Sequence, residues 1–147
     1  MKLSLEQIDR GTEEVIIRYL HMTERVREIA DCVNRQGRSL LASKDGEWAV
    51  LWPGDVIYLE SVDGITWLYT ADAVYRTADS LAALEARYAQ EGYFRCSKSM
   101  VINIYRISHL KSEPGNRIRA QMDNGEYAMI SRRYAKELRS ILRGGER

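Results

Sequence analysis

Cysteine, proline and histidine are scarce in this sequence, with two of each among 147 residues. The cysteines, Cys32 and Cys96, lie far apart and form no CxxC pair; the histidines are His21 and His109. That excludes a secreted disulfide scaffold and a zinc module, so no metal site is expected. No stretch approaches the ~18 consecutive apolar residues that suggest a membrane span. Residues 1–11 lack the basic start and apolar core of a signal peptide. Catalytic signatures are missing as well: no GxSxG, phosphate loop, GxGxxG, HExxH or EF-hand spacing occurs. The expectation is a cytoplasmic, soluble protein that is not an enzyme, with no cofactor and no small-molecule substrate.

What is present is enough to fold. Apolar residues make up 45% of the chain and charged ones 29%, which excludes disordered and fibrous classes. The formal charge of +1 conceals an asymmetry. Residues 1–94 carry 10 basic and 16 acidic side chains, whereas residues 95–147 carry 12 basic and 5 acidic. A strongly basic last third points to a polyanion-facing end.

Periodicity divides the chain near residue 38. Lys2–Ile8 and Glu14–Leu20 read as strands, the second more convincingly because EVIIRYL is β-branched and aromatic. Val26, Ile29, Ala30 and Val33 then recur at helical spacing, with Thr23 as N-cap and Gly37 as stop. Residues 1–38 are therefore read as a β-β-α extension, a candidate dimerisation or regulatory segment.

Residues 39–147 read as one mainly β domain. Strands are expected at 39–43 and 47–51 around Asp45-Gly46, at 55–61 and 66–70 around Asp63-Gly64, and at 73–77. A short helix follows, capped by Asp79 or Ser80, lined by Leu81, Leu84 and Tyr88 and ended by Gly92. Strands return at 99–104 and 107–111, and a hairpin pairs 117–122 with 127–130 around Asn124-Gly125. The last helix has Ser131 as cap and Tyr134, Leu138, Ile141 and Leu142 facing inward.

The isolated chemistry-bearing residues read most simply as structural. His109 beside Ser108 is a hydrogen-bonded strand histidine, because a catalytic triad must meet in space rather than in sequence. Cys96 is a small strand filler, and Asp45, Asp63 and Asp123 are turn residues. Two basic clusters are more informative. Arg95, Ser97, Lys98 and Ser99 lie around a turn leading into a very apolar strand, and such donors suit phosphate contact or simply a solvated turn. Ser131-Arg132-Arg133 opens the last helix, where backbone N–H groups also attract phosphate.

The order DVIYLES, YT, SLAALEARY, YFRCSKSMVINIYRI and NGEY…MISRRYAKEL resembles the LytTR family of bacterial DNA-binding domains over about residues 40–145. The opening EVIIRYLHMTERVREIAD resembles the short extension of stand-alone LytTR regulators. This resemblance implies an elongated, mainly antiparallel β fold (α+β overall) with short helices. It also implies sequence-specific binding of double-stranded promoter DNA through loops that enter successive major grooves. Carried over residue by residue, the implied contacts are Asp63, Gly64, Ile65, Thr66 and Trp67; then Arg95, Ser97, Lys98 and Ser99; then Arg132 and Arg133.

Some family members have His and Asn where Thr66 and Lys98 stand here, which leaves base preference open, and Trp67 is open to a core role instead. Residues 1–38 are too short for the receiver domain that many members carry, so control by aspartyl phosphorylation is not expected. Homodimers are expected. Stand-alone relatives are often encoded beside a small membrane protein that restrains them, which makes such a protein an implied partner and the opening segment its implied surface. The alternative from another class is an interaction module that sequesters a partner regulator without useful DNA affinity of its own.

Overall fold

A computed structural model of the chain describes residues 1–35 and 39–144. The chain divides into two compact units, Met1–Gly37 and Arg38–Arg147.

In the first unit, helix α1 spans Glu24–Arg35. Thr23 caps it as its spacing predicts, its Oγ1 accepting from the Val26 N–H at 3.3 Å. The expected stop at Gly37 lies outside the described residues. The two expected strands before α1 do not form: residues 1–23 contain neither helix nor strand. The reason is physical. A β-prone segment becomes a strand only when another strand takes its backbone hydrogen bonds, and among the described residues these segments have no strand partner.

The second unit follows the expected alternation closely. Strands β1 (Leu40–Lys44) and β2 (Glu47–Leu51) form a hairpin; β3 (Val56–Val62), β4 (Ile65–Thr70) and β5 (Val74–Thr77) form a meander. Helix α2 (Leu81–Arg87) precedes a second hairpin, β6 (Tyr93–Ser97) and β7 (Met100–Asn103). Strands β8 (Ile107–Glu113), β9 (Arg117–Met122) and β10 (Tyr127–Ile130) lead into helix α3 (Arg132–Leu142). The pairing is antiparallel throughout, in a seven-stranded sheet of order β2-β1-β5-β4-β3-β7-β6 and a three-stranded sheet of order β10-β9-β8.

The turns carry the residues they need. Asp45 and Gly46 sit at φ 53° and 81°, and Asp63 and Gly64 at 52° and 77°, the paired left-handed geometry of tight hairpins. Ser80, not Asp79, caps α2, its Oγ accepting from the Ala83 N–H at 3.1 Å. Strand β6 is the element that the sequence reading lacks: Tyr93–Ser97 pairs along β7, so the basic cluster is the tip of a hairpin rather than the approach to one strand.

The large sheet separates two cores, and alternation along each strand assigns side chains to one or the other. Leu59, Leu68 and Val101 pack with Leu81, Leu84 and Tyr88 of α2 on one side. Phe94, Cys96 and Ile102 pack with Ile118, Met122 and Ile130 of the small sheet and with Ala135 and Leu138 of α3 on the other. Burial of both faces explains the nearly continuous apolar runs VIYL and MVIN. On α3, Tyr134 and Ile141 pack against that second core. Leu142, expected inward, is instead 48% exposed, because it falls in the last turn, beyond the face that the core covers.

Candidate nucleic-acid interface

Three segments meet at one end of the large sheet. The β3–β4 turn holds Asp63 and Gly64, both exposed, and the β6–β7 turn holds Lys98 and Ser99, also exposed. Antiparallel pairing of Glu60 with Met100 sets these turns side by side, and the Ser61 N–H donates to the Ser99 carbonyl at 2.8 Å. The start of α3 joins them, because the Ser131 N–H donates to the Cys96 carbonyl at 2.8 Å. Arg132 and Arg133 are thereby presented, exposed, beside the β6 end of that hairpin. Segments distant in sequence form one surface because β3, β7 and β6 are neighbours in the sheet.

Arg95 departs from the contact role that its composition suggests. Its side chain is only 21% exposed and is spent within the turn. Nε donates to the Ser97 carbonyl at 2.9 Å and Nη2 to the Lys98 carbonyl at 2.7 Å. Nη1 reaches Glu85 of α2 at 3.4 Å. The planar guanidinium suits three acceptors at fixed angles, which a lysine could not match. Arg95 thus sets the shape of the turn that presents Lys98.

Thr66 is 5% exposed and Trp67 half-buried. Strand alternation puts Thr66 on the α2 side of the sheet, so little of it is offered to a ligand. Gly64, Thr66, Arg95 and Lys98 nevertheless line one cleft of about 630 Å³, together with Arg76. Arg76, exposed on β5, was not among the sequence-derived contacts; its alternation in AVYRT was the available signal, but strand order alone brings it to this end.

The basic excess of the last third is partly consumed by the fold. Arg106 donates to the Gly54 carbonyl at 2.9 Å and lies 3.3 Å from Asp123. Arg117 donates to the Pro114 carbonyl, and Arg119 lies 3.5 Å from Glu113. Arg133 lies over the Tyr134 ring at 5.4 Å. Ser131 occupies the N-cap position of α3, but its hydroxyl makes no capping bond; its carbonyl accepts from the Tyr134 and Ala135 N–H groups at 3.0 Å.

The remaining candidates have structural places. His109 is exposed on β8 with Nδ1 3.3 Å from the Ser108 Oγ. Cys96 is buried, and burial pushes its thiol up to about 12. Among the described residues, no group of three or more His, Cys, Asp or Glu could hold a metal ion, and no helix is long and apolar enough to cross a membrane.

Comparison with known proteins agrees with this architecture. A LytTr DNA-binding domain structure from Bacillus cereus superposes with a TM-score of 0.68 at 24% identity, over 71% of this chain and 96% of that one. The sensory transduction protein LytT of Bacillus anthracis is 33% identical over 89 residues, which are 60% of this chain but 36% of that protein. The chain therefore aligns with about a third of that relative's length. An uncharacterized HTH-type transcriptional regulator of Staphylococcus aureus (strain MSSA476) is 30% identical over 145 residues, 97% of this chain and 98% of that one. Despite that relative's name, the described residues here contain no helix-turn-helix, since strands separate α1, α2 and α3. The family model of the LytTr DNA-binding domain matches residues 46–143, and the chain belongs to the LytTR DNA-binding domain family.

Proposed function

We propose that this protein is a sequence-specific transcriptional regulator that binds double-stranded promoter DNA as a homodimer in the bacterial cytoplasm. The convergence of the Asp63-Gly64 turn, the Lys98-Ser99 turn and the start of α3 on one end of the sheet carries this reading. Two hairpin tips and a helix start, offering Lys98, Arg132 and Arg133, suit loops that follow the major groove. Lys98 and backbone N–H groups at the start of α3 hold phosphates. Arg132 reaches a guanine edge, where its fork donates to O6 and N7. Arg95 shapes the turn and stays off the DNA. No reacting group or cofactor is needed, because binding itself is the activity.

A mobility-shift assay on the protein's own upstream region tests the reading. A complex that weakens steeply with salt and outcompetes scrambled DNA supports it. Absence of any shift at low salt favours the sequestering module instead.

A further inference from the structure

Residues 12–20, TEEVIIRYL, combine β-forming side chains with the absence of a strand partner among the described residues. Val15, Ile16, Tyr19 and Leu20 are 62%, 67%, 54% and 95% exposed. An unpaired β-prone backbone edged by apolar side chains is a template for another strand. Residues 1–38 carry seven basic and seven acidic side chains, so the opening unit has no net charge to draw a partner of one sign, and Thr12–Leu20 itself carries Glu13 and Glu14 against Arg18. Its signs are arranged instead to complement themselves.

We infer that Thr12–Leu20 pairs antiparallel with the same segment of a second copy, with Ile16 on the twofold axis. The inference rests on the homodimer reading above and adds the interface. In a symmetric antiparallel ribbon one residue opposes its own copy, and residues equally spaced about it oppose each other. Centring on Ile16 sets Glu14 opposite Arg18 twice over, and Val15 opposite Ile17 twice over. Centring on Val15 leaves Glu14 facing Ile16 and Arg18 facing Thr12; centring on Ile17 leaves Glu14 facing Leu20 and Arg18 facing Ile16. Centring on Glu14 or Arg18 brings like charges together. Of these registers only the one centred on Ile16 sets Glu14 against Arg18, with Glu13 opposite Tyr19, while matching the β-branched pairs that stabilise a ribbon.

Sedimentation of the full chain over a concentration series tests this. Glu14→Arg and Arg18→Glu each place like charges opposite one another at two positions, and each is expected to weaken the dimer by about tenfold or more. The combined Glu14→Arg, Arg18→Glu chain restores it. A dimer indifferent to the single reversals, or not restored by the pair, overturns the register and leaves the homodimer reading standing. A wild-type chain that is monomeric with and without DNA overturns both. Oxidative crosslinking gives a second readout in a Cys32→Ser background, which removes the exposed native thiol. Ile16→Cys is expected to crosslink to its own copy. Thr12→Cys, roughly 27 Å from its copy in this register, is not, and a crosslink at Thr12 but not at Ile16 overturns the register.

Discussion

The Ser61 N–H and the Ser99 carbonyl are 2.8 Å apart, and that bond extends the β3–β7 ladder to the end of the sheet where the candidate DNA-contacting turns lie. It ties the two hairpin tips together through the backbone into one surface. Pre-set geometry matters for groove recognition, because base-edge contacts tolerate little misplacement, whereas phosphate contacts tolerate more. The tip of the second hairpin is fixed further by Arg95, which holds the Ser97 and Lys98 carbonyls and reaches Glu85.

Arg95 and Lys98 should therefore respond differently to substitution. Arg95→Lys keeps the charge but cannot hold both carbonyls and Glu85 together. It is expected to reduce operator affinity by about tenfold, or about 1.4 kcal/mol, with the salt dependence of binding unchanged. Lys98→Ala removes a phosphate contact and is expected to flatten the slope of log K against log salt by about one unit. Titrations at several salt concentrations read both. Arg95→Gln removes the charge as well, and a slope flattened by it as by Lys98→Ala would place the Arg95 guanidinium on the DNA.

Arg132 should separate specificity from attraction. Arg132→Ala is expected to lose roughly 1–3 kcal/mol of operator discrimination while changing affinity for scrambled DNA little. It should also relax preference at one base pair. Parallel titrations of operator and scrambled DNA make the comparison. Equal weakening of both would mark Arg132 as another phosphate contact.

The hairpins at Asp45-Gly46 and Asp63-Gly64 and the cap of α1 could be read directly from sequence, because each is set by a few neighbouring residues. Strand β6 could not: YFRCS has no turn signal separating it from MVIN except Ser97-Lys98-Ser99, which resembles an ordinary polar stretch. The role of Arg95 was hidden for a different reason. Its acceptors are two carbonyls and a glutamate on α2, and composition shows the cation without showing where it points. The gathering of the three contact segments depends on strand order, a long-range property that local periodicity does not carry. The strands expected before α1 reflect real β propensity that finds no strand partner among the described residues.

Gly92 tests the junction between α2 and the second hairpin. It sits at φ 100°, and an added Cβ would lie 2.6 Å from the Tyr105 ring and 2.8 Å from the Asn103 Oδ1. The exposed Tyr105 ring can move aside. Asn103 is 1% exposed and anchored, its Nδ2 donating to the Val56 carbonyl at 3.0 Å, so it cannot. Gly92→Ala is expected to destabilise the domain by about 2–3 kcal/mol. Gly46→Ala, also left-handed but with nothing within 4 Å, should cost about 1 kcal/mol from backbone strain alone. Urea denaturation of both variants provides the comparison.

Thiol labelling should distinguish the two cysteines. Cys96 is buried beneath the small sheet and α3, with its thiol pushed up to about 12, mainly by burial. The thiolate is the reactive form. Native protein at neutral pH is expected to label at the exposed Cys32 and to protect Cys96 until urea unfolds the domain. Mass spectrometry of peptides after a short alkylation pulse reads each site, and rapid native labelling of Cys96 would show that the second core opens readily.

Alkaline stability should report on the stacked pair Tyr58 and Tyr69, whose ring centroids are 4.3 Å apart. Burial first, and then the neighbouring Tyr69 and the carboxylates Glu126 and Glu60, push the Tyr58 phenol up to about 12. Tyr69 is raised chiefly by burial, with Glu60 next. The fold therefore favours the neutral phenol, while the unfolded chain ionises near pH 10. A raised folded-state value means that this contribution is complete below pH 10 and is lost as pH climbs toward about 12. The urea midpoint of the full chain is expected to be flat in this respect up to about pH 10 and to fall beyond it. Tyr58→Phe, which has no proton to lose, is expected to show a shallower fall over the same range. An identical alkaline decline in both proteins would mean that Tyr58 does not control it.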